Sequence, residues 1–140
     1  MTSLPLFEFA FPGPLREKLI AAVLAGAKSS TTSLLQGYEH EGSAPRPVGT
    51  RSVVIDSAGR PVVVIETTSV RVVPLSQVDP AHVVDEGEGL TTVAEWRAEH
   101  ERGWHSVEQR AEFGDPEFTV GDDTLVVLER FRVVQDLRPA

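Results

Sequence analysis

Residues 13–35 read GPLREKLIAAVLAGAKSSTTSLL, and this stretch sets the architecture. Gly13-Pro14 opens a helix. A proline at the first helical position gives up an N–H that would have no partner there, and its fixed φ suits the first turn. Leu15, Leu19, Ile20, Val23 and Leu24 recur at helical spacing and make one apolar stripe. Gly26 follows the last of them, where a left-handed C-cap is expected. The spacing predicts a helix over 14–25 that stops just short of Lys28. Residues 29–35 are rich in hydroxyl and β-branched side chains and predict a strand leaving the helix end.

Working outward, Gln36 to Gly49 reads as a loop. Two strands follow, Arg51–Asp56 and Pro61–Val73, joined by Ser57-Ala58-Gly59-Arg60 as a hairpin turn. Val62 to Ile65 is a continuous apolar run, so both faces are expected to be covered there. Leu75 to Val84 predicts a short helix with Pro80 in its first turn. Residues 85–89, DEGEG, form a glycine-punctuated acidic loop. Thr92 and Glu95 stand in capping-box register for a second long helix over about 92–109, with Trp96, His100 and Trp104 on one face. Residues 113–123 are a loop, and Thr124–Val134 a last strand. The order helix, strand, hairpin, helix, helix, strand fits an α+β sandwich or a small barrel with helices outside, and local pattern does not choose between them.

A length of 140 residues fits a single domain with a core of its own. There are no cysteines, which excludes disulfides and thiolate metal sites and fits a reducing, cytoplasmic setting. No apolar run reaches the length of a membrane span, and the first residues lack the basic start of a signal peptide. The net charge is −8. Residues 1–70 hold six basic and six acidic side chains, and residues 71–140 hold seven and fifteen. This acidic surface repels a polyphosphate backbone and excludes tight binding to duplex DNA. A nucleoside, a single strand of RNA or a tRNA loop stays compatible if cations gather in one cleft. Lysines number only two, Lys18 and Lys28, against eleven arginines, which draws attention to Lys28.

Several short signals occur in a fixed order. Gly26-Ala27-Lys28-Ser29-Ser30-Thr31 has the form G-x-K-x-x-T directly after the amphipathic helix. Tyr38-Glu39-His40-Glu41-Gly42 and Pro47-Val48-Gly49 follow. Gly59-Arg60-Pro61, Val64-Ile65-Glu66-Thr67-Thr68, Glu86-Gly87-Glu88-Gly89, the tryptophan helix and Glu129-Arg130-Phe131-Arg132-Val133-Val134 complete the series. In this order and spacing, from about residue 7 to 134, the chain resembles the ASCH family. Leu90 stands where the family often has aspartate.

The resemblance implies a single-domain α+β fold, a PUA-like mixed β-barrel with flanking helices and a cleft beside the first helix. It implies association with RNA. Some small relatives hydrolyse the amide of N4-acetylcytidine, and another cleaves single-stranded RNA. In the amidohydrolases a lysine and threonine of G-x-K-x-x-T and a glutamate of the later acidic segment carry the chemistry. Those positions fall here on Lys28, Thr31 and Glu88. No cofactor and no metal is implied.

The chemistry sets conditions on these residues. A threonine hydroxyl attacks only when a base removes its proton, and a lysine is that base only if burial or a neighbouring cation lowers its pKa. Residues 28 and 31 lie on opposite faces of a straight strand, so a bend after Gly26 is needed for them to converge. Glu88 then either holds the lysine or protonates the leaving amine. Backbone N–H groups of residues 29–31 are candidate oxyanion donors. The bland alternative is a lysine at a helix C-terminus and a plain strand threonine. Glu86 is expected to be a solvated loop carboxylate. Trp96 and Trp104 are expected in the core, with His100 buried or half-buried beside a partner. Tyr38, Glu66 and Arg130 are the candidate ligand contacts: Tyr38 stacks on a base or packs over the barrel mouth, Glu66 faces the ligand or simply outward, and Arg130 binds phosphate or pairs with nearby carboxylates. Three functions stay open: amide hydrolysis on an acylated cytidine, cleavage of single-stranded RNA, and binding of RNA or a modified nucleotide without catalysis.

Overall fold

The computed structural model describes residues 3–139. Five strands, β1 (Leu6–Phe7), β2 (Ser30–Leu34), β3 (Arg51–Ile55), β4 (Pro61–Pro74) and β5 (Leu125–Asp136), form one sheet in the order β1-β3-β4-β5-β2. Only β1 and β3 run parallel; the other neighbours are antiparallel. Five α-helices flank it: α1 (Pro14–Leu24), α2 (Leu35–His40), α3 (Pro80–Asp85), α4 (Val93–Trp104) and α5 (Val107–Phe113). The α+β class is the one expected. The sheet is not closed by hydrogen bonds into a barrel, because β1 and β2 are its two edges.

The opening segment folds as its residues dictate. Pro14 begins α1, Ala25 caps it, and Gly26 takes φ +80°, so the chain turns at once and Lys28 lies between helix and strand. Three features differ from the sequence expectation. Residues 35–40 form a helical turn and a half, α2, in a stretch without helical apolar periodicity. The tryptophan helix stops at Trp104, because Ser106 starts a new one by accepting from Gln109 N–H at 3.1 Å. Leu75–Gln77 is a turn of 3₁₀ helix, and the α-helix waits for Asp79, whose carboxylate caps His82 N–H at 3.2 Å.

Both faces of the sheet are covered. Phe7, Phe9, Val54, Val63, Ile65 and Phe131 pack with Leu19, Ile20 and Val23 of α1. On the other face Leu34, Val126 and Leu128 pack with Leu75, Val83, Trp96 and Trp104. Full burial of each large apolar side chain contributes about 1.5–3 kcal/mol. Strand alternation therefore sends Ser30, Thr32 and Leu34 to the tryptophan face. Thr31, paired in register with Glu129, goes to the α1 face. Among the described residues no helix is long and apolar enough to cross a membrane.

Candidate functional site

The site forms where the start of β2 meets the loop after α3. Gly87 makes that meeting close. Its φ is +67°, and a Cβ added there would lie 2.1 Å from Ala27 O, so only glycine admits this contact. Ser29 N–H donates to Asp85 O at 2.8 Å and fixes the register of loop against strand. Glu86 and Glu88 are thereby carried on either side of Gly87, next to Lys28.

Lys28 is buried, at 3% exposure. Its ammonium donates to Ser30 O at 2.9 Å, Glu86 O at 3.3 Å and Glu88 Oε2 at 3.4 Å. Glu86 Oε1 lies 3.9 Å away. Three oxygens thus surround the nitrogen, which is held in one place by them.

Glu86 is the hub, and the expectation that it would be solvated is wrong: it is 1% exposed. Its Oε2 accepts from Thr32 Oγ1 at 2.6 Å and Trp96 Nε1 at 2.8 Å, with His82 Nε2 at 3.1 Å. Its Oε1 faces His100 Nε2 at 3.3 Å. Burial opposes its charge, but the hydrogen bonds from His100 and His82 win and hold the carboxyl well below the usual range. His100 stacks on Trp96 with ring centroids 4.2 Å apart, and its Nδ1 lies 2.9 Å from Trp96 O. Burial would lower its pKa; the hydrogen bond and charge of Glu86 raise it. Glu88 moves the other way from Glu86. Burial and the hydrogen bond it shares with Glu86 raise its pKa, and Lys28 only partly opposes them.

Glu86, Glu88 and His100 place their ligating atoms within 4.8 Å of one another, a donor set that divalent metals also use. The ammonium of Lys28, 3.4 Å from Glu88 and 3.9 Å from Glu86, already supplies cationic charge there. Glu88 also faces outward. It lines a cleft of about 270 Å³ between α1 and α4, together with Leu15, Lys18, Leu90 and Glu99.

The structure thus brings Lys28 and Glu88 together and leaves Thr31 apart. The hydroxyl on the carboxylate belongs to Thr32, one residue on and on the opposite face. Ser29 N–H is spent on Asp85 and is no oxyanion donor. Arg130 adjoins the site through Asp85, which it pairs at 2.5 Å. Tyr38 is buried and donates to Glu129, while Arg46 donates to the Tyr38 hydroxyl at 2.7 Å. Burial and Glu129 push the phenol up. Glu66 pairs with Arg51 at 3.0 Å and Arg132 at 3.1 Å in a ladder across β3, β4 and β5. Its charge is stabilised by those hydrogen bonds, and it stands outside the Lys28 cluster. Sequence reasoning missed Thr32, His82 and Lys18. The spacing of Trp96 and His100 was the available signal for the α4 side of the hub.

A family model for the ASCH domain matches residues 8–135. The chain belongs to the ASCH family. Its fold is similar to that of protein EF3133 from Enterococcus faecalis V583, with TM-score 0.81 and 26% identity over 96% of this chain and 78% of the other. It is likewise similar to an ASCH domain from Lactobacillus crispatus JV V101, with TM-score 0.78 and 30% identity over 94% and 80%. Hypothetical protein PH0355 shares the fold at TM-score 0.54 and 14% identity, over 84% of this chain and 93% of that one. No curated protein matches.

Proposed function

We propose that this ASCH domain binds a nucleoside in the cleft beside α1 and hydrolyses an amide on it, N4-acetylcytidine being the substrate to try first. One observation carries the reading: the carboxyl of Glu88 sits on the cleft wall and on a buried ammonium at once. Amide hydrolysis needs a group that takes a proton from water and returns it to the leaving nitrogen. A carboxylate with a raised pKa, held in place by Lys28, suits that exchange. Water attacks the acetyl carbon while Glu88 takes its proton. The C–N bond then breaks as Glu88 gives the proton to N4, leaving acetic acid and cytidine. Lys18, exposed at the cleft, offsets the charge that develops on the carbonyl oxygen.

Thr31 lies on the far face of β2, so water rather than its hydroxyl is the nucleophile in this reading. Of the remaining candidates Arg130 is the one that reaches the loop of the site, through Asp85, and it is kept as the contact for the polar end of the ligand. Tyr38 and Glu66 are engaged with internal partners and are left out. Glu88 and Glu99 on the cleft walls favour an uncharged nucleoside over a polyphosphate strand.

The test is conversion of N4-acetylcytidine to cytidine followed by liquid chromatography. Turnover by the wild type, lost in Lys28→Ala and Glu88→Gln and kept in Thr31→Ala, supports the reading. Loss in Thr31→Ala with the fold intact returns the threonine to the role of nucleophile. An inert wild type removes this substrate and leaves a binding module.

A further inference from the structure

A second group of polar side chains lies on the α1 face of the sheet, opposite to the face where Thr32 and Trp96 meet Glu86, and Thr31 and Tyr38 belong to it. Glu129 is its centre and is 1% exposed. Its Oε1 accepts from the Tyr38 hydroxyl, which in turn accepts from Arg46 Nη1 at 2.7 Å. Arg46 Nη1 also stands 3.6 Å from Glu129 Oε1. The guanidinium lies over Phe7, with Cζ 4.3 Å from the ring centroid, so a ring and two oxygens hold it. Thr31 is directly opposite Glu129 in the β2–β5 register, where side chains on one face are neighbours.

The hydrogen-bond count of this group does not close. Glu129 Oε2 and the Thr31 hydroxyl make no hydrogen bond with the described residues; Glu129 is engaged through Oε1 alone. Among the described residues, the side-chain polar atoms both without a partner and sealed from solvent are Ser52 Oγ and His82 Nδ1. Glu129 Oε2 and Thr31 Oγ1 are therefore not sealed, and each meets a narrow opening. Arg46 stands at that opening with its side chain 24% exposed, and its Nε and Nη2 make no hydrogen bond with the described residues. A carboxylate oxygen this deep without a donor is costly, and such a group calls for a bound partner or a function.

We propose that this group is a second binding site, for a cytosine base whose exocyclic amine donates to Glu129 Oε2 while its ring nitrogen accepts from Arg46 or Thr31. An acceptor and donors stand side by side here, on a pair whose own charges, Glu129 and Arg46, cancel. A neutral ligand with an amine next to an acceptor matches them. A phosphate or carboxylate would be repelled by Glu129, and an alkylammonium by Arg46. Cytosine carries N4–H₂ beside N3, and a carboxylate side chain is a good acceptor for that amine. Adenine has the same pair on a larger ring, and cytosine needs the less room at a narrow opening. Tyr38 holds Glu129 and Arg46 in place: its hydroxyl donates to one and accepts from the other. The site does not depend on the hydrolysis proposed at Glu88.

The test is a titration of ¹⁵N-labelled wild-type protein with cytidine. The backbone amides of Thr31, Arg46 and Glu129 are expected to shift. N4,N4-dimethylcytidine, which has no N–H to give, is expected to leave them in place. In Glu129→Gln the carbonyl stays on the Tyr38 hydroxyl and an N–H₂ takes the position of Oε2, donor against donor. The dissociation constant for cytidine is expected to rise about tenfold or more, the discrimination of one good base contact. Should that variant not fold, Thr31→Val, the same size without the hydroxyl, is expected to weaken binding in the same direction. Shifts confined to Leu15, Lys18 and Leu90 would put cytidine in the cleft between α1 and α4 and overturn the proposal. Equal shifts with both nucleosides, or none with cytidine, would overturn it as well. These readouts stand whether or not N4-acetylcytidine is turned over.

Discussion

Trp96 donates its indole N–H to Glu86 Oε2 at 2.8 Å while the rest of the ring is sealed in the core with no exposure. The residue is thus an apolar anchor and the donor for a buried carboxylate together. Replacing it by Phe keeps most of the apolar area and removes the donor. A buried charged group that loses a hydrogen bond costs about 1–3 kcal/mol. Trp96→Phe is expected to lower unfolding free energy by that amount in urea titrations. A change within error of zero would mean that Glu86 does not depend on the indole.

Gly87 is the hinge on which both carboxylates hang. Alanine there meets two obstacles: a left-handed backbone and a carbonyl oxygen 2.1 Å from the new methyl. The chain cannot keep both φ and the contact with Ala27, so loop and strand must separate. Gly87→Ala is expected to destabilise by about 2 kcal/mol or more, combining strain and overpacking. It should also displace Glu88 from Lys28. Thermal melting reads the first effect, and nucleoside turnover or binding the second. Gly89→Ala is the control, since it shares the positive φ but has no neighbour within 4 Å.

These two glycines and the tryptophan show what the sequence made legible. The turn at Gly26, the G-x-K-x-x-T order and the hairpin at Gly59 were readable because each rests on local chemistry: a C-cap, a spacing, a tight turn. The approach of Lys28 and Glu88 was readable only through family resemblance, because 60 residues separate them. Glu86 was misread for a physical reason. An acidic residue between an aspartate and a glycine looks solvated unless its donors are known, and Thr32 comes from β2, Trp96 and His100 from α4, and His82 from the preceding turn. The split at Ser106 was missed because an i, i+4, i+8 run of Trp96, His100 and Trp104 continues smoothly in pattern up to the residue where the backbone turns. β1 has two residues, too few for any alternation to show.

Lys28 offers a test of charge balance separate from catalysis. Its removal leaves Glu86 with one cation fewer in a place water does not reach. Breaking a buried ion pair by deleting one partner costs about 3–5 kcal/mol. Lys28→Met, which keeps the length of the apolar stem, is expected to lose stability in that range in urea at neutral pH. The loss should shrink on acidification, as Glu88 takes up a proton and removes one of the two negative charges. Lys28→Arg is not expected to restore the wild type, because a planar guanidinium cannot point at three oxygens arranged around a compact ammonium. Equal stability of Lys28→Met and wild type would show that the ammonium contributes nothing net.

The pH dependence of stability follows from the same cluster, with signs that oppose one another. Glu86 has a lowered pKa in the folded chain because donor hydrogen bonds overcome burial. It therefore contributes stability above the ordinary carboxylate range, and that contribution is lost as pH falls below it. His100 has a raised pKa because Glu86 outweighs burial. Its contribution is fully present below the unfolded value, about 6.5, and is lost as pH rises through the higher folded value. Glu88, also raised, is stabilising only while protonated, and loses that contribution above the carboxylate range. It opposes the gain from Glu86. Urea midpoints measured from about pH 3 to about pH 9 should then describe a plateau with a fall on either side. His100→Gln is expected to remove the alkaline fall and to make the acid one shallower, because His100 is itself one of the donors that hold the Glu86 carboxyl down, with His82 left to hold it. A wild-type midpoint that stays flat from about pH 6 upward would show that His100 carries no extra proton in the folded state.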